Sequence, residues 1–319
     1  MLALVYAARR SLSWIVLILF CCTGAQCRQT TWPLLPGYSK GAPRLLPDGP
    51  TKDQVIQVVN ANTDRVRFYK TNNASISISG LASLKTSIAM EKPRRFRLKA
   101  GTALTGTEVD LGSNDQLFWM WVRRGEPRQL YYCHHDRYAA SEAARSIPME
   151  PKWFIEALGL IRFDPRDWHA GPYARHGGNL EIRSRSATPA GDIVRITVVD
   201  PVYGWVLEQH VMTATGVHLA SVVASGHRYD AEVGVSLPSR VEIQMPPAQL
   251  SIKIDVGDVI LNRPVGDPAT MWAKPSYPGF QEVDLARARG RVVWPQPAAR
   301  REDSPQAPKV SWWKQLLPR

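Results

Sequence analysis

The chain has 319 residues, which is enough for one large β domain or two smaller domains, and an apolar fraction of 44% predicts a mostly globular protein. The net charge is +12, but the basic residues are scattered among apolar ones, as on a solvated sheet face. Because no helix-turn-helix, zinc-finger or RNA-binding signature occurs, we expect no nucleic-acid partner.

Residues 1–27 have the organisation of a signal peptide. Two arginines form a positive n-region, and Ser11–Cys22 supplies about 12 mostly apolar residues, which is short for a membrane span of roughly 20. Small residues then lead into Cys27 as in a bacterial lipobox, although Gly24 and Gln26 depart from that pattern. We expect lipid attachment at Cys27; ordinary signal-peptide cleavage and an uncleaved anchor are the alternatives. In each case the domain lies outside the inner membrane, and the predicted location is the cell envelope, on the outer membrane facing the periplasm.

Residues 28–50 are rich in proline and glycine and lack apolar periodicity, which predicts a flexible tether. Thr51-Lys-Asp-Gln54 then has the form of a capping box, in which the Thr51 hydroxyl caps the first turn and Gln54 reaches back. Residues at helical spacing follow and predict a helix of about 15 residues: Val55, Val58, Val59, Asn62 and Val66.

From Phe68 onward the apolar period changes to two, which predicts strands in an antiparallel meander. The predicted strands of this first group are Ala74–Ser79, Leu84–Met90, Phe96–Ala100 and Glu108–Leu111. In the third of them, Phe96 and Leu98 point to one side, while Arg95, Arg97 and Lys99 point to the other and are expected to be solvated.

The next strand, Leu117–Val122 (LFWMWV), is apolar at every position. A half-buried strand alternates with period two, so this pattern predicts a strand that is covered on both faces. Trp119 and Trp121 have the same parity and are expected to face the same space. The strand fits either an ordinary two-sided core or one wall of a ligand cavity.

A short helix is predicted at Met149–Gly159, with Pro151 in its first turn and Gly159 at its C-terminal stop. Its bulky apolar face is formed by Trp153, Phe154, Ala157 and Leu158. We expect this face to cover the strand Leu117–Val122.

Strands resume near Asn179 and form a second group: Leu180–Arg183, Asp192–Asp200, Trp205–Met212, His218–Ala224, Ala231–Val235, Arg240–Met245 and Leu250–Val256. The two groups predict a mainly β (α+β) fold, a curved antiparallel open β-barrel of about 11 strands with lid helices across its concave face. We assign the domain to residues 51–280. Residues 281–319 are rich in proline and arginine, and we predict a disordered tail.

Cys133-His134-His135-Asp136 is the one cluster of reactive residue types. Neighbours in a strand point to opposite faces, so at most two of them share a site, and zinc needs further ligands such as His169 or His176, which lie in loop-like sequence. Motifs of the HExxH, GxSxG, P-loop and GxGxxG types are absent. We therefore predict no enzyme activity, no metal and no cofactor, with a zinc hydrolase as the alternative. One cysteine after Cys27 excludes an internal disulfide there.

These features resemble the LolA/LolB-like lipoprotein-sorting fold of the bacterial envelope, over residues 51–262. The segments that carry the resemblance are Val58–Thr63, Leu117–Val122, Lys152–Gly159, Leu237–Ile243 and Leu250–Asn262. Within that family, the chain is more similar to uncharacterised lipoproteins that carry segments like Glu91–Arg97 and Asp110–Asp115 than to the sorting carriers themselves.

The resemblance implies an unclosed, strongly curved sheet whose covered concave face binds acyl chains or other lipids. Our leading hypothesis is a lipid-anchored lipoprotein that holds a lipid or an acylated partner in an apolar cavity, with a role in lipoprotein or lipid handling. The residues predicted to line the cavity are Val55, Val59, Phe96, Leu98, Trp119, Trp121, Trp153, Phe154 and Leu158. The alternative is a non-enzymatic structural or interaction lipoprotein with a filled core, which engages an envelope protein through its basic face or its tail.

Overall fold

The computed structural model describes residues 41–78, 83–141, 144, 151–175, 177–188, 191–264, 266–288 and 296–297, all within the unit Ser39–Arg319. The predicted signal peptide, Cys27, most of the tether and the end of the predicted tail lie outside the described residues. Among the described helices, none is both long and apolar enough to cross a bilayer.

The first helix, α1 (Lys52–Asp64), begins with the predicted capping box. The backbone N–H of Gln54 donates to the Thr51 hydroxyl at 3.3 Å, and the backbone N–H of Thr51 donates to the Gln54 side chain at 2.8 Å. Thr51 thus fixes where the helix starts. The other helices are α2 (His135–Tyr138), α3 (Pro151–Ala157), α4 (Pro268–Met271) and a 3-10 turn at Pro246–Ala248.

The strands, numbered in chain order, are β1 (Phe68–Ile78), β2 (Leu84–Glu91), β3 (Arg95–Thr102), β4 (Gly106–Ser113), β5 (Leu117–Val122), β6 (Gly125–Glu126), β7 (Gln129–His134), β8 (Trp168–Ala174), β9 (Leu180–Ser186), β10 (Ile193–Val199), β11 (Val206–Thr213), β12 (His218–Ser225), β13 (Arg228–Asp230), β14 (Val235–Leu237), β15 (Arg240–Met245), β16 (Leu250–Asp255), β17 (Ile260–Leu261), β18 (Gln281–Asp284) and β19 (Gln296–Pro297).

Fifteen of these strands form one sheet in the order β18-β7-β5-β4-β3-β2-β1-β16-β15-β12-β11-β10-β9-β8, with β17 beside β1. Neighbouring strands run antiparallel, except that β18 is parallel to β7. The edge strands β18 and β8 do not pair with each other, so the curved sheet stays open. The predicted fold class is confirmed, with more strands than the predicted eleven.

Two strand predictions in the second half were wrong. The edge strand β8 was assigned to loop, because Gly171 and Pro172 interrupt its alternation at a bulge between Ala170 and Tyr173. The predicted strand Ala231–Val235 is a turn up to Gly234, whose φ is +73°, and pairing begins only at β14. The Asp230 carboxylate accepts from the backbone N–H of Val233 at 2.9 Å and stabilises that turn.

The ordered domain extends beyond both predicted boundaries. Leu46 is 1% exposed, and the backbone N–H groups of Leu45 and Leu46 donate to the Val202 carbonyl at 3.0 and 3.1 Å. At the other end, β18 lies in the predicted tail but pairs with β7. Both segments are held by partners that are distant in the sequence, and their own composition does not reveal those partners.

Both faces of the sheet are buried at strand β5, and alternate residues of this strand point to opposite faces. Phe118, Met120 and Val122 point to the main apolar core, which we call the inner face, while Trp119 and Trp121 point to the opposite side, the outer face. The inner-face core is continuous from β7 through β1 and β16 to β12 and includes side chains of α3. Helix α1 covers the inner face farther along, over β9–β11.

Candidate functional site

The inner face beneath α3 is apolar and closely packed. Phe96 and Leu98 of β3 are each 1% exposed, and the Phe154 ring stacks on the Phe96 ring with centroids 5.7 Å apart and planes inclined by 16°. Ile155, Ala157 and Leu158 are buried in the same core. Helix α3 therefore packs on this part of the inner face through uncharged side chains.

Two observations show why glycine occupies position 159, just after the end of α3. Its φ is +89°, a left-handed conformation that L side chains rarely adopt, and a Cβ at this position would lie 2.6 Å from Cδ of Pro238. The chain then passes directly into Leu160 and Ile161, which are also buried. The sequence prediction of the stop at Gly159 is confirmed.

One charged side chain, Glu156, ties α3 to the sheet. It is 4% exposed, and its carboxylate lies 3.0 Å from Nη1 of Arg195 on β10. The Gln209 amide on β11 donates to the Glu156 carbonyl at 3.1 Å. Nearby, the buried Thr197 hydroxyl has no hydrogen-bond partner among the described residues. The inner face is thus mainly apolar from β1 to β7, where the buried hydroxyls of Thr86 and Ser113 are exceptions, and it carries charged and amide groups on β10 and β11.

The nine residues predicted to line one cavity lie in three separate apolar clusters. Phe96, Leu98, Phe154 and Leu158 share the inner-face core, and the partly buried Trp153 packs against it. Val55 and Val59 of α1 pack instead with residues of β9–β11. Trp119 and Trp121 lie on the outer face, so the expected contact between this pair and the α3 helix does not occur. Whether the inner-face group binds a ligand stays a prediction.

Trp119 belongs to a buried polar network centred on Asp110, which is 0% exposed. The Asp110 carboxylate accepts hydrogen bonds from Arg97 at 2.7 Å, from the Trp119 indole at 3.2 Å and from the Tyr277 hydroxyl at 2.6 Å. Burial, and then the hydrogen bond to Asp110, raise the pKa of Tyr277, so the phenol stays protonated. Gly112 makes room for the Trp119 ring, since a Cβ there would lie 2.1 Å from the indole.

The expectation that Arg97 is solvated was wrong. Its side chain is buried, and besides Asp110 it donates to the carbonyls of Met271 and Ala273 at 3.2 and 2.7 Å. The segment of residues 271–280, which we call the outer strap, covers the guanidinium. The sequence held one signal for this buried pair. Asp110 occupies an outer-face position on β4, and the arginines of the neighbouring strand β3 also occupy outer-face positions.

The outer strap also covers Trp121. Tyr277 stacks on the Trp121 ring with centroids 3.7 Å apart and planes inclined by 7°, and Phe280 meets the same ring edge-on at 5.2 Å. Asn114 fixes the start of the strap by donating to the Trp272 carbonyl at 3.2 Å. Tyr277 and Phe280 were missed because proline and glycine surround them in a stretch without periodicity.

The histidines and the cysteine singled out as reactive residue types have separate surroundings in the structure. Cys133 is fully buried, and burial raises the pKa of its thiol to about 11, which keeps it a poor nucleophile. His135 Nε2 lies 2.9 Å from the Asn114 carbonyl, and His169, which is in β8, lies 2.8 Å from the Ser184 hydroxyl. Over the described part of the chain, no three His, Cys, Asp or Glu side chains are grouped as metal ligands; His176 lies outside it.

Comparison with known proteins gives structural matches only. No protein-family model matches the sequence, and neither does any curated protein. The chain is similar to an outer-membrane lipoprotein-sorting protein domain from Vibrio parahaemolyticus, with 7% identity, a TM-score of 0.49, and coverage of 69% of this chain and 97% of that one.

Two further solved structures are similar to the chain. A LolA superfamily protein from Nitrosomonas europaea matches with 10% identity and a TM-score of 0.43, over 69% of this chain and 97% of that one. A DUF1329 family protein from Desulfovibrio piger matches with 8% identity and a TM-score of 0.46, over 69% and 98%. The matches are of the LolA-like kind that the sequence predicted. At these identities and scores they transfer no ligand or partner to this chain.

Proposed function

We propose that this chain is a lipoprotein of the cell envelope, anchored by a lipid on Cys27, whose domain holds a lipid or an acyl chain on its inner face beneath α3. The observation that carries the proposal is the chemistry of that face: the side chains of α3 that cover β3 are uncharged, and Phe154 stacks on Phe96. The mode of action is binding and release, without a catalytic step.

The α3 helix is suited to act as a displaceable cover. It has seven residues, and a helix of two turns is not stable by itself in water, so its position depends on packing and on the Glu156 contacts. An acyl chain that took the place of Phe154 and Leu158 would bury the same apolar surface. Each CH₂ group removed from water contributes about 0.8 kcal/mol, so several CH₂ groups would compensate for the displaced side chains.

Neighbouring valines on β12 provide a matched pair for the test. Val222 is 4% exposed and lies in the inner-face core, whereas Val223 is 39% exposed and has the opposite parity. Val222→Phe adds bulk on the inner face, and Val223→Phe adds the same bulk outside it. We expect only the first substitution to reduce acyl-chain binding.

The measurement is photo-crosslinking in cells that express the full chain with a photoactivatable, alkyne-tagged fatty acid, followed by peptide mapping. The proposal expects label on peptides from β3, β12 and α3, and several-fold less label in Val222→Phe than in Val223→Phe, with both variants folded by circular dichroism. Equal labelling of both variants, or label confined to Cys27, would contradict binding on the inner face. That result would favour the alternative, an interaction lipoprotein with a filled core.

A further inference from the structure

A second candidate site lies at the C-terminal end of α1, away from the α3 helix. It is a pocket of about 490 Å³ between the α1–β1 connection, the turn before β14 and the end of β17. Its lining residues are Asp64, Arg65, Arg67, Glu232, Val233, Leu261, Asn262 and Arg263. Three arginines and two carboxylates in one small pocket indicate a site for a charged ligand.

Asn262 holds the frame of this pocket. Its side-chain oxygen accepts from the backbone N–H groups of Arg67 and Phe68 at 2.7 and 3.2 Å, and its amide donates to the Arg65 carbonyl at 2.7 Å. Its φ of +54° lies in the left-handed region, which asparagine tolerates better than most residues. The backbone that carries Arg65 and Arg67 is therefore fixed before any ligand arrives.

The two carboxylates are already paired, and one of the guanidinium groups is not. Asp64 pairs with Arg162, which lies beside the pocket, and Glu232 pairs with Arg263. Arg65 donates to the Gly234 carbonyl at 2.6 Å. The Arg67 guanidinium makes no hydrogen bond or ion pair with any described residue. The pocket thus keeps one uncommitted, exposed cation.

Lys92 adds to the positive charge around the pocket. Its ammonium donates to the Thr63 carbonyl and lies 4.0 Å from Asp64. Burial, together with repulsion from Arg162 and Arg67, lowers the pKa of Lys92, although Asp64 opposes this effect. A further negative group, supplied by a ligand, would relieve that repulsion.

Two of the lining residues are apolar: Leu261 belongs to the inner-face core, and Val233 packs against that core. A ligand that sits here would place a negative group among arginines and could extend an apolar part toward the core. Guanidinium groups bind phosphate through two parallel hydrogen bonds, as they bind carboxylate, whereas a single hydroxyl does not match this geometry.

We propose that this pocket binds a phosphate group, with Arg67 as its main donor and Arg65 beside it. The phosphate belongs either to a free anion or to the headgroup of an amphiphile whose apolar part rests on Leu261. The site stands independently of acyl binding beneath α3, since its polar contacts come from other residues.

The test titrates the purified full chain, in a non-ionic detergent, with three probes: inorganic phosphate, dihexanoylphosphatidic acid and dihexanoylphosphatidylcholine. Arg67→Gln removes the uncommitted cation. Arg185→Gln is the matched control, because Arg185 is exposed on β9 and has no ion pair with a described residue. Loss of a charge-assisted hydrogen bond corresponds to about tenfold weaker binding or more.

Saturable binding of inorganic phosphate that only Arg67→Gln weakens supports a site for a free anion. Binding of the phosphatidic acid alone, weakened in the same variant, supports a headgroup site. The phosphatidylcholine is the comparison for this arm, because choline esterifies its phosphate. No saturable binding of either anion, or equal loss in Arg67→Gln and Arg185→Gln, would overturn the proposal. Because inorganic phosphate has no acyl chain, failure in that arm leaves the acyl proposal of the α3 face untouched.

Discussion

The two faces of β5 are both buried, but by coverings of different chemistry. On the outer face, the strap of residues 271–280 places an aromatic stack on Trp121 and directs Tyr277 at a carboxylate that also binds Arg97 and Trp119. On the inner face, α3 contributes uncharged side chains to the core beneath it and a single carboxylate, Glu156, to its edge. One covering is fixed by directional polar bonds, and the other is held mainly by apolar contact.

This difference shows which covering suits exchange with a ligand. If the strap moved away, the buried Arg97 and Asp110 would lose the hydrogen bonds to its carbonyls and from the Tyr277 hydroxyl, and buried charged groups that lose such partners are costly. Apolar contact is non-directional, so another apolar group of similar size replaces it at little cost. The outer strap is therefore expected to be a permanent part of the fold, and the α3 helix is the covering that an acyl chain could displace.

The sharpest test of the outer covering is Asp110→Asn. It would leave the Arg97 charge buried without a carboxylate and would weaken the bonds from Trp119 and Tyr277. Removal of one partner of a buried pair costs about 3 to 5 kcal/mol, and we expect a loss of that size in the free energy of unfolding, measured by urea denaturation.

The control for this substitution is Asp115→Asn. Asp115 also pairs with an arginine, Arg95, at 2.6 Å, but its side chain is 55% exposed. Exposed pairs contribute about 0 to 1 kcal/mol. If the two variants lose equal stability, the Asp110 network does not hold the outer strap in the way we describe.

For the inner covering the matching change is Glu156→Gln, which removes the charge that pairs with Arg195. We expect a local loss of about 2 to 3 kcal/mol, because Arg195 would keep a partly buried charge without its partner. Hydrogen exchange in the peptide of residues 151–160 should then be about 30-fold faster or more.

The matched control is Glu242→Gln, since Glu242 pairs with Lys253 at 3.1 Å on an exposed part of β15 and β16. It should leave exchange in residues 151–160 unchanged. A Glu156→Gln variant that loses global stability as much as Asp110→Asn, without faster exchange at α3, would show that the two coverings do not differ.

Sequence patterns predicted individual elements of the two coverings, but not which segment covers which face of β5. Two-sided burial of Leu117–Val122, the capping box at Thr51 and the end of α3 at Gly159 are local, and each was predicted correctly. Parity placed Trp119 and Trp121 together, but parity does not say which of two distant segments lies over them. The helix was assigned to the tryptophans because it was the nearest bulky apolar segment in the sequence.

The polar network was not predicted, although two segments that contribute to it were noted as part of the family resemblance. Glu91–Arg97 and Asp110–Asp115 were singled out, and the structure pairs them across β3 and β4 through Arg97 with Asp110 and Arg95 with Asp115. The third contributor, Tyr277, is more than 150 residues away in a stretch without periodicity, so no local rule identifies it. The pocket at Arg67 was missed for the same reason, because its walls come from three distant parts of the chain.

The substitution with the smallest expected effect is Tyr277→Phe, which separates the hydrogen bond of Tyr277 from its aromatic stacking. The ring can still stack on Trp121, whereas the hydrogen bond to Asp110 is lost. We expect a loss of about 1.5 kcal/mol in the free energy of unfolding, at the lower end for a bond to a charged group, because Arg97 and Trp119 still serve the carboxylate. Tyr173→Phe is the control, since that ring is 44% exposed and its hydroxyl has no hydrogen bond to a described residue. A Tyr277→Phe loss no larger than that of the control would mean that the Tyr277 hydroxyl does not stabilise the strap, and that its stacking on Trp121 and the Arg97 and Asn114 contacts hold it instead.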